Sequence, residues 1–257
     1  MGYVLHESKQ GISYIYFNRP ESYNALNSEM LNQLEKTVKN VAENNDKVVV
    51  LSGKGKAFSA GGDMKMLNED FIEKETFDSV MDTIESIVLR LYQMPKMIIS
   101  AVNGSAAGLG LSMALTADYV VASKEAKLGM LFLGVGLVPD GGGHFWLEER
   151  MGRHQAKQFI WSMKQVQGEE ALRLGLVDVF TKGDVLMRAT ELGQQLLVSP
   201  LQSMLHTKCI YRSKREEVLK QYLAEEKQAQ WELKNTEDHK EGVSAFLEKR
   251  KPVFKGE

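Results

Sequence analysis

The stretch Met97-Ile98-Ile99-Ser100-Ala101-Val102-Asn103-Gly104-Ser105-Ala106-Ala107-Gly108-Leu109-Gly110-Leu111-Ser112 sets the fold class. Its first six residues are a short, almost uninterrupted apolar run, the pattern of a strand buried on both faces. The run leads straight into Gly104, and a segment of small residues then continues as a helix. A buried strand that feeds a helix through glycine is the elementary step of an α/β architecture. The step recurs on both sides. Residues 48–51 form an all-apolar strand ending at Gly53, and residues 119–122 form another after the small-residue helix.

Further out, residues 3–7 and 12–17 read as two strands joined through Gly11, the second broken by Asn18-Arg19-Pro20. Ser28 is expected to cap a helix running to about residue 43, with Met30, Leu31, Leu34, Val38 and Val41 at helical spacing. Residues 77–92 read as an amphipathic helix stopped by Pro95. Beyond about residue 180 the pattern turns helical over 184–197, 200–211, 215–234 and 236–249. The apolar residues of that last region, Leu219, Tyr222, Leu223, Trp231 and Phe246, either cover the α/β core or form an oligomer interface.

Composition narrows the function classes. The chain has 257 residues, 43% hydrophobic and 26% charged, ordinary values for a globular protein with a large core. A net charge of −2 gives no electrostatic reason to expect nucleic acid or an anionic membrane as partner. The one cysteine, Cys209, fits a reducing cytosol, so a cytoplasmic location is expected. No apolar run approaches the ~18 residues of a membrane span, and no signal peptide is read at the start. No His, Cys or Asp cluster has metal-ligand spacing, so no metal is expected.

Three glycine-rich turns carry the chemistry. The first is Lys56-Ala57-Phe58-Ser59-Ala60-Gly61-Gly62-Asp63-Met64-Lys65; the second spans Asn103 to Ser112; the third is Gly134-Val135-Gly136-Leu137-Val138-Pro139-Asp140-Gly141-Gly142-Gly143. Glycine lets a ligand approach the backbone, and a strand–glycine–helix junction leaves N–H groups free for an anion or a polarised carbonyl. Donors from two such turns can together form an oxyanion hole. In the third turn a single carboxylate, Asp140, sits among residues that bring backbone close and keep bulk away. It reads as an acid/base group aimed at a ligand, or as the N-cap of the helix starting near Gly142. Asp63 reads as a cap, Asp118 as structural, and His144 as a second acid/base candidate or an ordinary helix residue. The turns lack a P-loop or dinucleotide fingerprint in the right context, and Ser59 and Ser112 lack a nucleophile elbow.

In order along the chain come Asn18-Arg19-Pro20…Asn24-Ala25-Leu26-Asn27, Ala57-Phe58-Ser59-Ala60-Gly61-Gly62-Asp63, Ala101-Val102-Asn103-Gly104-Ser105-Ala106-Ala107-Gly108, Ala117-Asp118, Pro139-Asp140-Gly141-Gly142 and Ala245-Phe246-Leu247-Glu248-Lys249-Arg250. With these motifs the chain resembles the crotonase, or enoyl-CoA hydratase/isomerase, superfamily over nearly its whole length. The resemblance implies an α/β, crotonase-like spiral of ββα units with a C-terminal helical region. The core would span residues 1–195, and 196–257 would form a trimerisation or lid region of a homotrimer or dimer of trimers. It also implies an acyl-CoA thioester as substrate, with coenzyme A as part of that substrate and no separate cofactor. The backbone N–H groups of Gly62 and Leu109 would hold the thioester oxygen. Ala25, Ala60 and Met64 would line the adenine end, Lys56 or Lys54 would meet phosphates, and Phe246 and Lys249 would reach CoA, often in a neighbouring subunit.

The chain departs from the hydratases of that superfamily at their two water-activating glutamates. Ser112 falls at the first position and Phe132 at the second. Asp140 stands where some isomerases of the superfamily carry an acid, and Leu137-Val138-Pro139-Asp140 is most similar to the ring-epoxide phenylacetyl-CoA isomerases. One carboxylate suffices for an allylic double-bond shift, with Leu131 and Phe132 excluding water and apolar Val138 and Phe132 raising the Asp140 pKa. Enoyl-CoA isomerisation is therefore the first reading. A hydratase with water held by Ser112 and Asp140 is the second, and a non-catalytic acyl-CoA-binding protein the third. Residues 67–76, polar and helix-poor, are expected to form part of the acyl pocket wall.

Overall fold

The computed structural model describes residues 2–65 and 73–257. β1 (Val4–Lys9) and β2 (Ile12–Phe17) form an antiparallel hairpin, with Val4 opposite Phe17 and Lys9 opposite Ile12. Its two-residue turn, Gln10 and Gly11, has φ of 54° and 80°. Positive φ at both positions matches the turn to the twist of the strands. The helix α1 (Ser28–Glu43) follows, burying the five apolar residues the spacing predicts. Its cap is Asn27 rather than Ser28, because the Asn27 side chain accepts from the Met30 N–H, 2.9 Å away.

Three units of one design come next. β3 (Val48–Gly53) and β4 (Ala57–Ser59) precede α2 (Lys74–Gln93); β5 (Met97–Val102) and β6 (Ser105–Ala107) precede α3 (Leu109–Leu115). β7 (Tyr119–Ser123) and β8 (Lys127–Gly129) precede a 3-10 turn at Phe132–Val135 and α4 (Gly143–Met151). Then come α5 (Arg153–Ser162), β9 (Val166–Gln167), α6 (Gly168–Arg173), β10 (Val179–Thr181), α7 (Val185–Leu197), α8 (Leu201–Leu233) and α9 (Glu237–Leu247). The long strand of each unit enters a six-stranded sheet of order β1-β2-β3-β5-β7-β10, parallel except for the first hairpin. The short strands form a second sheet, β4-β6-β8-β9.

Alternation along the strands splits the core in two. Ile15, Phe17, Val49, Leu51, Ile98 and Val102 pack with the apolar faces of α1 and α2. Ile12, Tyr14, Val48, Val50, Met97 and Ile99 pack with Val185, Ala189 and Leu196 of α7. Helices on both faces explain why these strands are apolar without interruption.

The C-terminal third differs from the sequence expectation in one element. Residues 200–211 and 215–234 do not form two helices but the single 33-residue α8. Between them Ser213 and Lys214 lie on solvent and half-buried Arg212 donates to the Gln93 carbonyl, so the polar triplet gives the helix no reason to stop. Leu219 and Leu223 are buried in the main core, with Tyr222 and Trp231 packed partly against it, whereas Phe246 is 59% exposed. Core cover accounts for the first four and not for Phe246. Residues 74–76 form the first turn of α2, which starts three residues before the expected Phe77, and 67–72 of the expected pocket-wall stretch lie outside the described residues. Among the described residues, no helix is long and apolar enough to cross a membrane.

Candidate active site

β4, β6 and β8 are neighbouring parallel strands, so the turns leaving their C-terminal ends emerge side by side. Three segments that are distant in sequence are thereby brought together. The Gly108 N–H donates to the Gly129 carbonyl at the end of β8, 2.9 Å away, and a Cβ built on Gly141 would stand 2.6 Å from Leu109 Cδ1, so the third turn lies against the second. A Cβ built on Gly61 would stand 2.6 Å from the Ala107 carbonyl oxygen and 3.5 Å from the Leu109 nitrogen, and Gly61 has φ of 95°. Only glycine allows that close approach of the first turn to the second.

Gly62 is pinned in a one-residue bridge to Leu26. The Leu26 N–H donates to Gly61 and the Asp63 N–H donates to Leu26, at 2.8 and 3.0 Å. Among the described residues, neither the Gly62 N–H nor the Leu109 N–H has a hydrogen-bond acceptor. Leu109 opens α3 directly after Gly108, whose φ of 52° and ψ of −127° suit glycine alone. The Phe132 ring lies over this turn, 3.5 Å from where a Gly108 Cβ would be.

Asp140 is buried, and its Oδ1 has no hydrogen-bond partner. Burial pushes its carboxyl well above the usual carboxylate range, and the nearby Glu226 charge pushes it further. Val138 and Phe132, the residues expected to raise it, are only partly buried, and the missing second cause is a carboxylate on α8. The capping alternative does not hold: α4 is capped by Gly142, with no side-chain cap bond.

The loop carrying Asp140 is held by side chains at several of its backbone groups. Ser112 Oγ donates to the Asp140 carbonyl at 2.7 Å, and Gln230 Nε2 donates to Val138 at 2.5 Å. Trp146 Nε1 donates to Gly141 at 2.9 Å, and His239 Nδ1 lies 2.7 Å from the Val135 carbonyl. Glu226 Oε2 accepts from the Gly142 N–H at 2.7 Å; its Oε1 accepts from the His144 N–H at 3.1 Å and lies 2.7 Å from His144 Nδ1. Ser112 is thus a fully buried prop of the loop, directed at a carbonyl and not at a water. His144 is engaged by Glu226 and stacked near Tyr222.

The other sequence candidates separate into groups. Ala25 and Ala60 are close, because the Ala60 N–H donates to Tyr23 and Ser59 Oγ to Asn24. Met64 follows Asp63, which accepts from the Lys65 N–H at 2.9 Å and pairs with Arg19 at 2.8 Å. Leu131 immediately precedes the 3-10 turn. Lys56 is exposed, and Lys54 Nζ lies 3.5 Å from the Tyr16 ring centre. Phe246 and Lys249 lie exposed at the end of α9, where no described hydrogen bond or ion pair joins them to the Asp140 loop. Asp118 is structural, accepting from the Ile98 N–H and pairing with Lys208 at 2.7 Å.

Among the described residues, no three His, Cys, Asp or Glu side chains cluster around a metal position. A groove of about 400 Å³ between α3, α4 and α8 contains none of the three turns' key residues. Four of its charged residues pair with one another, Lys208 with Asp118 and Arg150 with Asp178.

Glu226, Gln230 and His239 were missed from sequence. A signal existed: Leu219, Leu223, Glu226 and Gln230 are spaced 4-3-4, one face of a helix, and all four are buried. Polar residues on an apolar face announce buried partners.

The model of the enoyl-CoA hydratase/isomerase family matches residues 7–257. The chain belongs to the enoyl-CoA hydratase/isomerase family. YhaR of Bacillus subtilis, named only as an enoyl-CoA hydratase/isomerase, is 46% identical over 254 residues, covering 99% of both chains. Two Escherichia coli relatives are each 34% identical: 2,3-dehydroadipyl-CoA hydratase, covering 100% of both chains, and 1,2-epoxyphenylacetyl-CoA isomerase, covering 100% of this chain and 99% of its own. The crystal structure of an enoyl-CoA hydratase/isomerase from Mycobacterium paratuberculosis superposes with a TM-score of 0.89 at 25% identity, covering 95% of this chain and 98% of that one. The fold is therefore crotonase-like, as the resemblance implied. Family membership makes the protein an acyl-CoA-processing enzyme and leaves hydration and isomerisation to be separated by the site.

Proposed function

We propose that the protein is an enoyl-CoA isomerase, with Asp140 as a single proton shuttle and the Gly62 and Leu109 N–H groups as the oxyanion hole. One observation carries this reading: the site offers one carboxyl free to react. Asp140 Oδ1 is buried without a partner, whereas both oxygens of Glu226 are engaged by Gly142 and His144. Ser112 and Phe132, at the positions of the hydratase glutamates, supply no carboxylate, and Ser112 is directed at the loop backbone.

In this reaction ionised Asp140 removes a C2 proton from a 3-enoyl thioester. The C–H electron pair forms the C1–C2 double bond of a dienolate whose oxygen rests on the two N–H groups. The proton returns at C4, leaving a conjugated C2–C3 double bond. Fixed donors matter most where charge develops, and losing one costs on the order of 10²–10³ in rate. An elevated Asp140 pKa suits a group that must both take and return a proton near neutral pH. Phe132, over Gly108, would keep water from the enolate.

Ala25, Ala60 and Met64 would line the adenine end and Lys56 or Lys54 would meet phosphate, with Phe246 and Lys249 reaching CoA from a neighbouring subunit. The reading carries a homotrimer or dimer of trimers in the cytosol, with 196–257 as its helical trimerisation or lid region. It needs no cofactor beyond the CoA of the substrate. The test is ultraviolet absorbance with 3-hexenoyl-CoA. New conjugation with the wild type, lost in Asp140→Asn, is the expected outcome. Tight thioester binding without any absorbance change would overturn isomerisation of linear substrates.

A further inference from the structure

We propose that Glu226 is a positioning residue for Asp140: from the C-terminal helix α8 it clamps the Asp140-bearing loop and sets a fixed negative charge against the Asp140 carboxyl. The inference rests on the single-carboxyl reading of the site. Glu226 is 3% exposed, so it is no solvated surface charge. Its two oxygens receive the Gly142 N–H at 2.7 Å, the His144 N–H at 3.1 Å and the His144 ring at 2.7 Å. A carboxylate is acceptor-only and suits converging N–H donors; a carboxamide would turn its own hydrogens against one of them. The residues clamped are the second and fourth after Asp140, so Glu226 fixes where the carboxyl points without touching substrate.

The clamp also has an electrostatic side. The loop packs against five helices; α3 brings no titratable group, and those of the other four differ in what they face. On α2, Asp78 and Asp82 pair with Lys227 of α8. On α4, Glu148 is bonded to the Tyr222 hydroxyl and Arg153, and His144 to Glu226. On α9, His239 is directed at the Val135 carbonyl. Those charges are taken up by one another, whereas Glu226 stands against Asp140 and, after burial, opposes its ionisation. Like charges in a low-dielectric site raise the cost of a second anion. Glu226 therefore keeps the Asp140 proton on longer than burial alone would, which equips it to hold a proton between removal and return.

The experiment is an infrared pH titration of the protonated-carboxyl band in the full chain, assigned to Asp140 by its loss in Asp140→Asn. It needs no turnover, so it separates this inference from the isomerase reading. In Glu226→Gln the band midpoint moves to lower pH, and kcat with 3-hexenoyl-CoA falls about 10²-fold with KM within about twofold. Glu226→Asp keeps the charge and shortens the reach, so its midpoint stays near wild type while kcat falls. His144→Ala removes one donor and leaves Glu226 in place; it keeps the fold if Glu226→Gln does not, and its midpoint does not fall. A midpoint in Glu226→Gln equal to wild type, or one that falls equally in Glu226→Asp or in His144→Ala, overturns the inference. A wild-type protein that shows the Asp140 band but no isomerisation overturns the proposed function alone.

Discussion

Alanine at Gly61 introduces a methyl-sized group where the first and second glycine turns meet. Its Cβ would lie 2.6 Å from the Ala107 carbonyl oxygen. Ordinary contact begins near 3.4 Å, so one turn must retreat by about 0.8 Å. That motion acts directly on the proposed oxyanion hole, since the same Cβ would be 3.5 Å from the Leu109 nitrogen and Gly62 is the next residue along. A φ of 95° adds strain of about 1–3 kcal/mol for a non-glycine residue. A misplacement approaching 1 Å costs about 10²-fold in rate, so kcat should fall about 10–10²-fold with a smaller change in KM. The control is Gly152→Ala, with φ of 76° and nothing within 4 Å of its Cβ. It should lose similar stability and keep wild-type kcat. Isomerisation kinetics beside urea unfolding of both variants read the two effects separately. Gly61→Ala with wild-type kcat, or Gly152→Ala with the same kcat loss, would refute the argument that turn spacing builds the hole.

Two more predictions follow from the Asp140 loop. Burial raises native Asp140 above its unfolded value of about 3.9. The stability it contributes is therefore complete below that pH and lost as pH rises through the native value. Asp140→Asn has no such loss, so its stability advantage over wild type should grow from about pH 4 upward, by about 1.4 kcal/mol per unit of pKa difference; a pH-independent gap in urea unfolding would contradict this. Ser112→Ala removes the bond to the Asp140 carbonyl and should cost about 1–3 kcal/mol of stability with kcat lowered but retained. Complete loss of activity with unchanged stability would instead favour the hydratase role of Ser112.

The legibility of the site followed sequence distance. Each glycine turn is written locally, because positive φ and close backbone approach admit almost no other residue. Asp140 stood out for the same reason, as a carboxyl inside such a run. The clamp was invisible by that route, since Glu226 lies 84 residues from Gly142 and binds its N–H through space. The break expected in α8 had a related cause: Arg212-Ser213-Lys214 interrupts the apolar spacing, but a helix held by packing further along does not need every turn to be apolar.

By itself the sequence determined the α/β class, the order of strand, turn and helix, and the residue types able to free a backbone N–H or hold a proton. These follow from local sterics and from the periodicity of burial. Only the tertiary structure decided what those residues do to one another. Parallel pairing of β4, β6 and β8 set three turns side by side, and α8 carried Glu226 against the third. The proton affinity of Asp140 depends on excluded water and on one distant charge, and both are properties of packing that no local stretch of chain contains.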